Sequence, residues 1–596
     1  MNELRLGSAA EVPCAPCVPS FDLTDEPWIG VLLRDGSEQE LSLRQVFAEA
    51  GQLRRVAGDL ATQEFALLRL LLAVAHDALD GPPDIETWGE LWADPECFAP
   101  VGAYLDTYRE RFDLLHPATP FFQTAGLRTA KDEVFSLNRI VADVPNGEPF
   151  FTARMPTVER LTFAEAARWV VHAHAYDTSG IKSGAVGDDR VKSGKVYPLG
   201  TGWAGGLGGV FAEGETLRET LLLNLVAADT DAFDFTADDR PAWRREPSPP
   251  GGAERAPTGL RDLYTWQTRR LRLHHDLRHD EDDENDEGTV TGVVLGYGDP
   301  LASRNMHRRE PMTAWRRSPA QEKKLRRSPV YLPREHDPAR SAWRGIASLV
   351  ADRSETGQGT EAASYLRPGI LEWVARLVTE GELPRDFLIR ARVIGAKYGT
   401  QQSVIDEIAD DRLTMPVVLL HCQDRTCAQQ AIGAAEDADL AVRALGDLAT
   451  DLARATGSEG EGARSAAREL GFTALEHPYR TWVAALAGAD DPFERRSAWQ
   501  RDVHGIIGGL GDRLVAEAGD AAWQGMTVTD KKGALWLNAD LADKWFRARL
   551  FKVLGHPFDR GERDAVDLSR PDLFRPGPPS SEEDSVSSTT GTEAPV

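Results

Sequence analysis

A chain of 596 residues is too long for one ordinary compact core, and its 41% hydrophobic and 27% charged residues give a globular composition with enough apolar material for several. With 68 Lys and Arg against 94 Asp and Glu, the net charge of −26 excludes a protein coated uniformly in positive charge, though not a basic site on an acidic body. Five cysteines do not make a disulfide scaffold, so a reducing cytoplasm is the expected compartment, and no apolar stretch reaches the length of a bilayer span.

Residues 1–20 read as a flexible leader, whose Cys14 and Cys17 form a CxxC without a second pair or HxxxH at zinc-finger distance. Residues 29–34 and 37–43 predict two strands around a turn at Asp35-Gly36. Asp59 is placed to cap a helix over about 60–79 whose apolar positions run nearly all round, the mark of a buried helix. His172 and His174 follow the amphipathic run Ala164 to Val171. As metal ligands, together with His274, His275 and Asp276, they would make a metal-dependent nuclease. As members of a helix face they are packing histidines, and no HD, HxHxDH or HExxH signature favours the metal.

Ser179 to Gly214 is rich in glycine, with eleven of them around Lys182, Lys192, Lys195 and Trp203. Glycine lets backbone N–H groups approach a ligand that a Cβ would exclude, and lysines between them suit phosphates; a flexible loop without a ligand is the alternative. Within it, Asp188 to Val196 lacks the first glycine and the Ser or Thr of a phosphate loop, and Pro198 blocks the helix that would follow. The acidic run Asp280 to Glu287 lacks the Gly and Glu of a calcium loop and reads as a solvated insertion. Arg304 to Arg327 gathers nine Lys or Arg against Glu310 and Glu322, the local footprint of a polyanion site or else a solvated face. After a strand-like run from Phe387 to Ile394, Lys397 to Ser403 forms a turn in which Gln401 and Gln402 can bond base edges or take the place of a displaced base.

Helical spacing then predicts helices over about 426–455, 473–488, 492–518 and 536–554, broken at Gly457 to Gly462, Gly488 to Asp491 and Gly519 to Lys532. The expected architecture is α+β: the leader, a large mixed α/β N-terminal domain over 21–408, a C-terminal four-helix bundle over 409–562, and a disordered tail over 563–596 rich in Pro, Ser, Thr and acid. No metal and no cofactor is expected.

Four runs make the chain resemble the CasA family, the large subunits of Cascade, the type I-E CRISPR RNA-guided surveillance complex. They are Phe21-Asp-Leu-Thr-Asp-Glu-Pro-Trp-Ile29, the segment from Tyr108 to Gln123 (YRERFDLLHPATPFFQ), Gly214 to Asn224 (GETLRETLLLN) and Leu263-Tyr-Thr-Trp-Gln267. The resemblance implies a non-catalytic subunit near the 5′ handle of the guide RNA, assembled with CasB, CasC, CasD and CasE and with no membrane partner. It implies recognition of the protospacer-adjacent motif in double-stranded target DNA, largely from the minor groove. Strand opening and R-loop formation would follow, with a landing surface for the helicase–nuclease that degrades the target.

By the same resemblance, the family's glutamine wedge falls on Gln402, preceded by Gln401. Its glycine loop falls within Gly194 to Gly206, with Gly200, Gly202, Gly205 and Gly206 as the expected contacts. The loop that touches the guide handle and a neighbouring subunit falls at about 146–160, around Phe150, Phe151, Thr152 and Ala153. A third motif contact in the family is a lysine on a mid-chain strand. Arg304, His307 and Arg308 occupy that neighbourhood here and no lysine matches. Where some members carry a cysteine cluster, this chain has its acidic insertion, so no zinc is expected.

Overall fold

The computed structural model describes residues 19–142, 158–230, 232–234, 236–277, 288–352, 362–421, 425–488, 491–530 and 533–554. The expected strand pair forms as β1 (Ile29–Leu33) and β2 (Glu38–Leu41), turning where Gly36 takes φ +89°. Helix α1 (Leu43–Ala48) starts on a reciprocal cap between Ser42 and Gln45, and β3 (Leu53–Val56) completes an antiparallel sheet in the order β2-β1-β3. Helix α2 (Ala61–Ala78) is buried on nearly every side, as its sequence predicts. Asp59 is not its cap, however. The helix begins one residue later than expected, after Leu60, and Asp59 instead receives the Gln63 amide while its own N–H donates to Gln63 Oε1 at 3.0 Å.

Asp84 caps α3 (Ile85–Ala93), Pro100 opens α4 (Pro100–Tyr108), and a second reciprocal cap, Thr162 with Glu165, starts α5 (Phe163–Tyr176). The glycine-rich segment contributes a small ribbon, β4 (Lys182–Ser183) with β5 (Lys195–Val196), and then strand β6 (Gly209–Glu213). Helices α6 (Leu217–Leu223) and α7 (Leu260–Tyr264) precede the long antiparallel pair β7 (Arg269–Asp276) and β8 (Thr289–Tyr297). Strand β9 (Trp315–Arg317), helix α8 (Pro319–Leu325), strand β10 (Tyr331–Pro333), helix α9 (Ile346–Leu349) and strand β11 (Tyr365–Leu366) include a sheet in the order β10-β9-β11. Helix α10 (Gly369–Thr379) leads to the hairpin of β12 (Leu388–Tyr398) and β13 (Ile405–Pro416), which joins β6 in the order β13-β12-β6.

Helix α2 is the centre of this part, packed by α4, α5, α6, α7 and β12. Each Leu or Phe it buries is worth about 1.5–3 kcal/mol. Its one buried cation, Arg69, is matched by a fully buried carboxylate, Glu310, through two hydrogen bonds of 2.8 and 3.0 Å. Glu310 also accepts from Trp203 Nε1 at 2.8 Å and Met312 N at 3.0 Å, so its carboxylate receives four bonds and pins the glycine-rich segment to the core.

The C-terminal region is helical, as expected: α11 (Thr426–Arg454), α12 (Glu461–Ala484), α13 (Pro492–Ala516), the short α14 (Asp520–Gln524) and, after a hairpin, α15 (Ala539–Leu554). In that hairpin β14 (Met526–Asp530) lies within the expected break, while β15 (Gly533–Leu537) follows it and takes the first two positions expected for the last helix, which starts at Ala539 instead. Helix α11 lies in the middle, its buried Ala431, Ala434, Ala438, Val442 and Leu445 facing α12, α13 and α15. The expected boundary at 408/409 falls inside β13, whose ladder with β12 runs on to Pro416. Backbone pairing therefore carries the N-terminal part past the point where apolar spacing changes. Among the described residues no helix is long and apolar enough to cross a membrane.

Candidate nucleic-acid interface

Gln401 and Gln402 sit at the tip of the β12–β13 hairpin, both exposed. The tip is closed by Gly399 N donating to Val404 O (3.1 Å) and Gln402 N donating to Gly399 O (2.9 Å). Both glutamines adopt left-handed backbone, with φ +58° and +54°. Few side chains other than glycine, asparagine or aspartate take that conformation without steric cost, and such strain concentrates at functional sites. Neither side-chain amide has a hydrogen bond to the rest of the chain among the described residues.

The tip is fixed to the glycine-rich segment. Ser179 N donates to Gln402 O at 2.8 Å, and Tyr398 Oη, at the base of the tip, donates to Tyr176 O at 2.7 Å. Arg269, buried on β7, ties the start of the segment to its middle: its guanidinium pairs with the Asp177 carboxylate and donates to the carbonyls of Asp177 (3.0 Å), Thr178 (3.1 Å) and Gly200 (3.0 Å). Burial pushes the Asp177 carboxyl up, but the charges of Lys182 and Arg269 outweigh it and hold it below the ordinary carboxylate range.

The expected glycine contacts divide into two kinds. A Cβ on Gly202 would lie 2.3 Å from the Ala175 carbonyl carbon, and one on Gly205 would lie 2.1 Å from Tyr398 Oη. Those two glycines let the segment pack against α5 and the hairpin. Gly200, at φ +104°, and Gly206 have nothing within 4 Å of the Cβ position and are open to an approaching ligand. Gly194, at φ +76°, lies in the Lys192–Lys195 turn that leads into β5.

The lysines divide likewise. Lys182 is buried and its Nζ pairs with Asp177 at 2.7 Å, so the reading of Lys182 as a phosphate contact is corrected: its charge anchors the loop. Burial lowers its pKa. Lys192 and Lys195 flank that turn in solvent. In the basic segment Arg308 pairs with Asp234 at 3.0 Å and Arg317 with Glu322 at 2.6 Å, while Arg304, Arg316, Lys323, Lys324, Arg326 and Arg327 are exposed. Phe150, Phe151, Thr152 and Ala153 lie outside the described residues, as do Cys14, Cys17 and the acidic run.

His172 and His174 are buried in α5 and engaged in packing. His172 Nε2 bonds Thr62 Oγ1 at 3.0 Å, and His174 Nε2 donates to Phe122 O at 2.8 Å. Burial lowers their pKa values to about 3 and about 4, so both are neutral. Among the described residues no group of three His, Cys, Asp or Glu is placed to hold a metal. Sequence reasoning missed the residues that position the tip and the turn, Arg269, Asp177 and Tyr398, because each acts through partners distant in the chain.

These features define a large α+β protein with an amide-tipped hairpin locked to a glycine turn and a helical C-terminal region. The chain belongs to the family described as CRISPR-associated protein Cse1, whose sequence model matches residues 22–509. It is 29% identical over 499 residues to CRISPR-associated protein CasA/Cse1 of Thermus thermophilus, covering 80% of this chain and 87% of that one. The crystal structure of Thermobifida fusca Cse1 is similar at 59% identity and a TM-score of 0.82, covering 90% of this chain and 98% of that one. Cse1 from Acidimicrobium ferrooxidans is similar at 32% identity and a TM-score of 0.76, covering 92% and 99%.

Proposed function

We propose that this chain is the large, non-catalytic subunit of a CRISPR RNA-guided surveillance complex, reading the protospacer-adjacent motif in duplex DNA and starting strand opening beside it. The observation that carries the reading is the bond from Ser179 N to Gln402 O, 2.8 Å, which, with Arg269 joining Thr178 to Gly200, makes the exposed glutamine tip and the turn around Gly200 parts of one fixed surface. Gly200 and Gly206 leave room for a groove edge, and the minor groove's degenerate pattern suits tolerant motif reading. Lys192, Lys195 and Arg304 supply exposed charge for phosphates.

Gln402 acts as a wedge beneath the motif. A stacking step is worth about 1.4 kcal/mol on average, so one side chain nucleates opening and guide pairing completes it. The guide RNA, CasB, CasC, CasD and CasE are the assembly partners, with the guide handle near Phe150 to Ala153, and the helicase–nuclease docks on the assembled subunit. The fold likeness to a chain of a CRISPR RNA-guided surveillance complex, at a TM-score of 0.61, is consistent with that assembly. The test is target binding by the reconstituted complex with and without this chain, on duplexes with the motif intact or scrambled. Binding that needs both chain and motif is expected; equal binding without either contradicts the proposal.

A further inference from the structure

Between Ser179 and Gly200 in the chain runs the β4–β5 ribbon, whose exposed apolar side chains have no role in the reading above. Its register pairs Lys182 with Val196 and Ser183 with Lys195. The turn through Ser193 (φ +50°) and Gly194 (φ +76°) is closed by reciprocal bonds of 2.8 and 3.1 Å between Lys192 and Lys195. Strand alternation assigns the faces. Val196 and Lys182 are buried, while Lys195 and Tyr197 face solvent, and continuing the register sets Ile181 opposite Tyr197.

Ile181 is 58% exposed, Tyr197 64% and Leu199 44%, on a segment held firmly at its root. Besides the Ser179 and Gly200 bonds, Gly180 N donates to Tyr297 Oη (3.0 Å) and Tyr297 Oη donates back to Gly180 O (2.6 Å). An outward-facing aromatic ring with aliphatic side chains beside it, on a backbone fixed at its root, offers a surface to a flat apolar partner. Charge selects the partner: Lys192 and Lys195 flank the patch without an ion partner among the described residues, on a chain of net charge −26. Position selects its state. Ile181 lies two residues from Ser179, which is bonded to the wedge carbonyl, so the ribbon rises beside the point of strand opening.

We infer that Tyr197, with Ile181 and Leu199 at its edges, is a stacking platform for the bases unpaired at the wedge, with Lys192 and Lys195 on the adjoining phosphates. The inference rests on the proposal that strands part at Gln402. Paired bases are already stacked, so an aromatic face adds most to bases that have just lost their neighbours, and it does so whatever their sequence.

The experiment uses the reconstituted complex and target duplexes carrying 5-iodouracil at the first pairs beside the motif, in one strand at a time, followed by irradiation. A crosslink to Tyr197 is expected from one strand, lost in Tyr197→Ala and retained in Tyr197→Phe. The opened state should also shorten about tenfold in lifetime in Tyr197→Ala, with initial motif binding unchanged. No crosslink at Tyr197, in a complex whose Gln402→Ala variant still opens more slowly, overturns the platform and leaves the wedge standing. A crosslink that persists with a guide unable to pair with the target makes Tyr197 a duplex contact and overturns it too. If neither Gln402→Ala nor Tyr197→Ala changes opening, the platform and the wedge fall together.

Discussion

Lys182, Lys192 and Lys195 read alike in the sequence, as cations among glycines, and the fold gives them opposite tasks. Lys182 turns inward to Asp177, whereas Lys192 and Lys195 stand free at the turn into β5. Each phosphate contact contributes about 0.9 to the slope of log affinity against log salt for duplex DNA. Lys192→Ala and Lys195→Ala should therefore each flatten the slope by up to that amount for the assembled complex, while Lys182→Ala should leave the slope alone and lower the melting temperature. A slope change with Lys182→Ala would contradict the assignment. The turn at Gln401 and Gln402 is legible from a glycine-containing stretch after a strand-like run, whereas the wedge role of Gln402 comes from the family resemblance and not from the turn. The partner of Lys182 is not legible, since the side chains that compete for a lysine are set by tertiary packing.

At the scale of elements, the glycine segment owes its shape to residues outside it. Arg269 closes the loop at Asp177, Thr178 and Gly200, and Trp203 ties it to Glu310. Arg269→Ala removes the common clasp and leaves buried carbonyls unpaired, a loss of about 1–3 kcal/mol for each such group. Hydrogen exchange should accelerate across residues 178–206 in that variant and stay unchanged in α11 to α15; equal protection throughout would contradict the clasp. Helical periodicity located α11 and α13 closely, because their buried faces repeat at three and four. It missed the start of α12 at Glu461, where Ala467 and Gly471 are the buried positions of the first turns. The β14–β15 hairpin escaped for another reason: its strands are five residues each and carry Met526 and Trp536 exposed, so the apolar positions do not mark a buried face.

Across the whole molecule, the N-terminal part meets the helices along one seam. Trp343 stacks on Tyr479 with ring centroids 4.5 Å apart, Trp343 Nε1 donates to Glu476 at 2.7 Å, and Arg480 pairs with Asp411 at 2.8 Å. Asp411 belongs to β13, so the strand that leads away from the glutamine tip also touches the helical region. Stability should depend on pH through three buried histidines. Burial lowers His76 and His172 to about 3 and His174 to about 4. The unfolded chain takes up protons below about 6.5 that the native state refuses, so stability is complete above that pH and falls as pH drops, by up to about 1.4 kcal/mol per unit for each histidine. A melting temperature that declines steadily from pH 6.5 to 5 is expected, and a flat profile would contradict neutral burial.

On the proposed function, one exposed amide, that of Gln402, begins strand separation beside the open turn at Gly200. The direct measurement is the rate of base unpairing beside the motif, read from 2-aminopurine fluorescence in the target duplex bound to the reconstituted complex. Gln402→Ala should slow opening by about tenfold, the size of one lost stacking-scale contribution, while motif-dependent initial binding persists. Opening at the wild-type rate in Gln402→Ala would show that the tip is not the wedge.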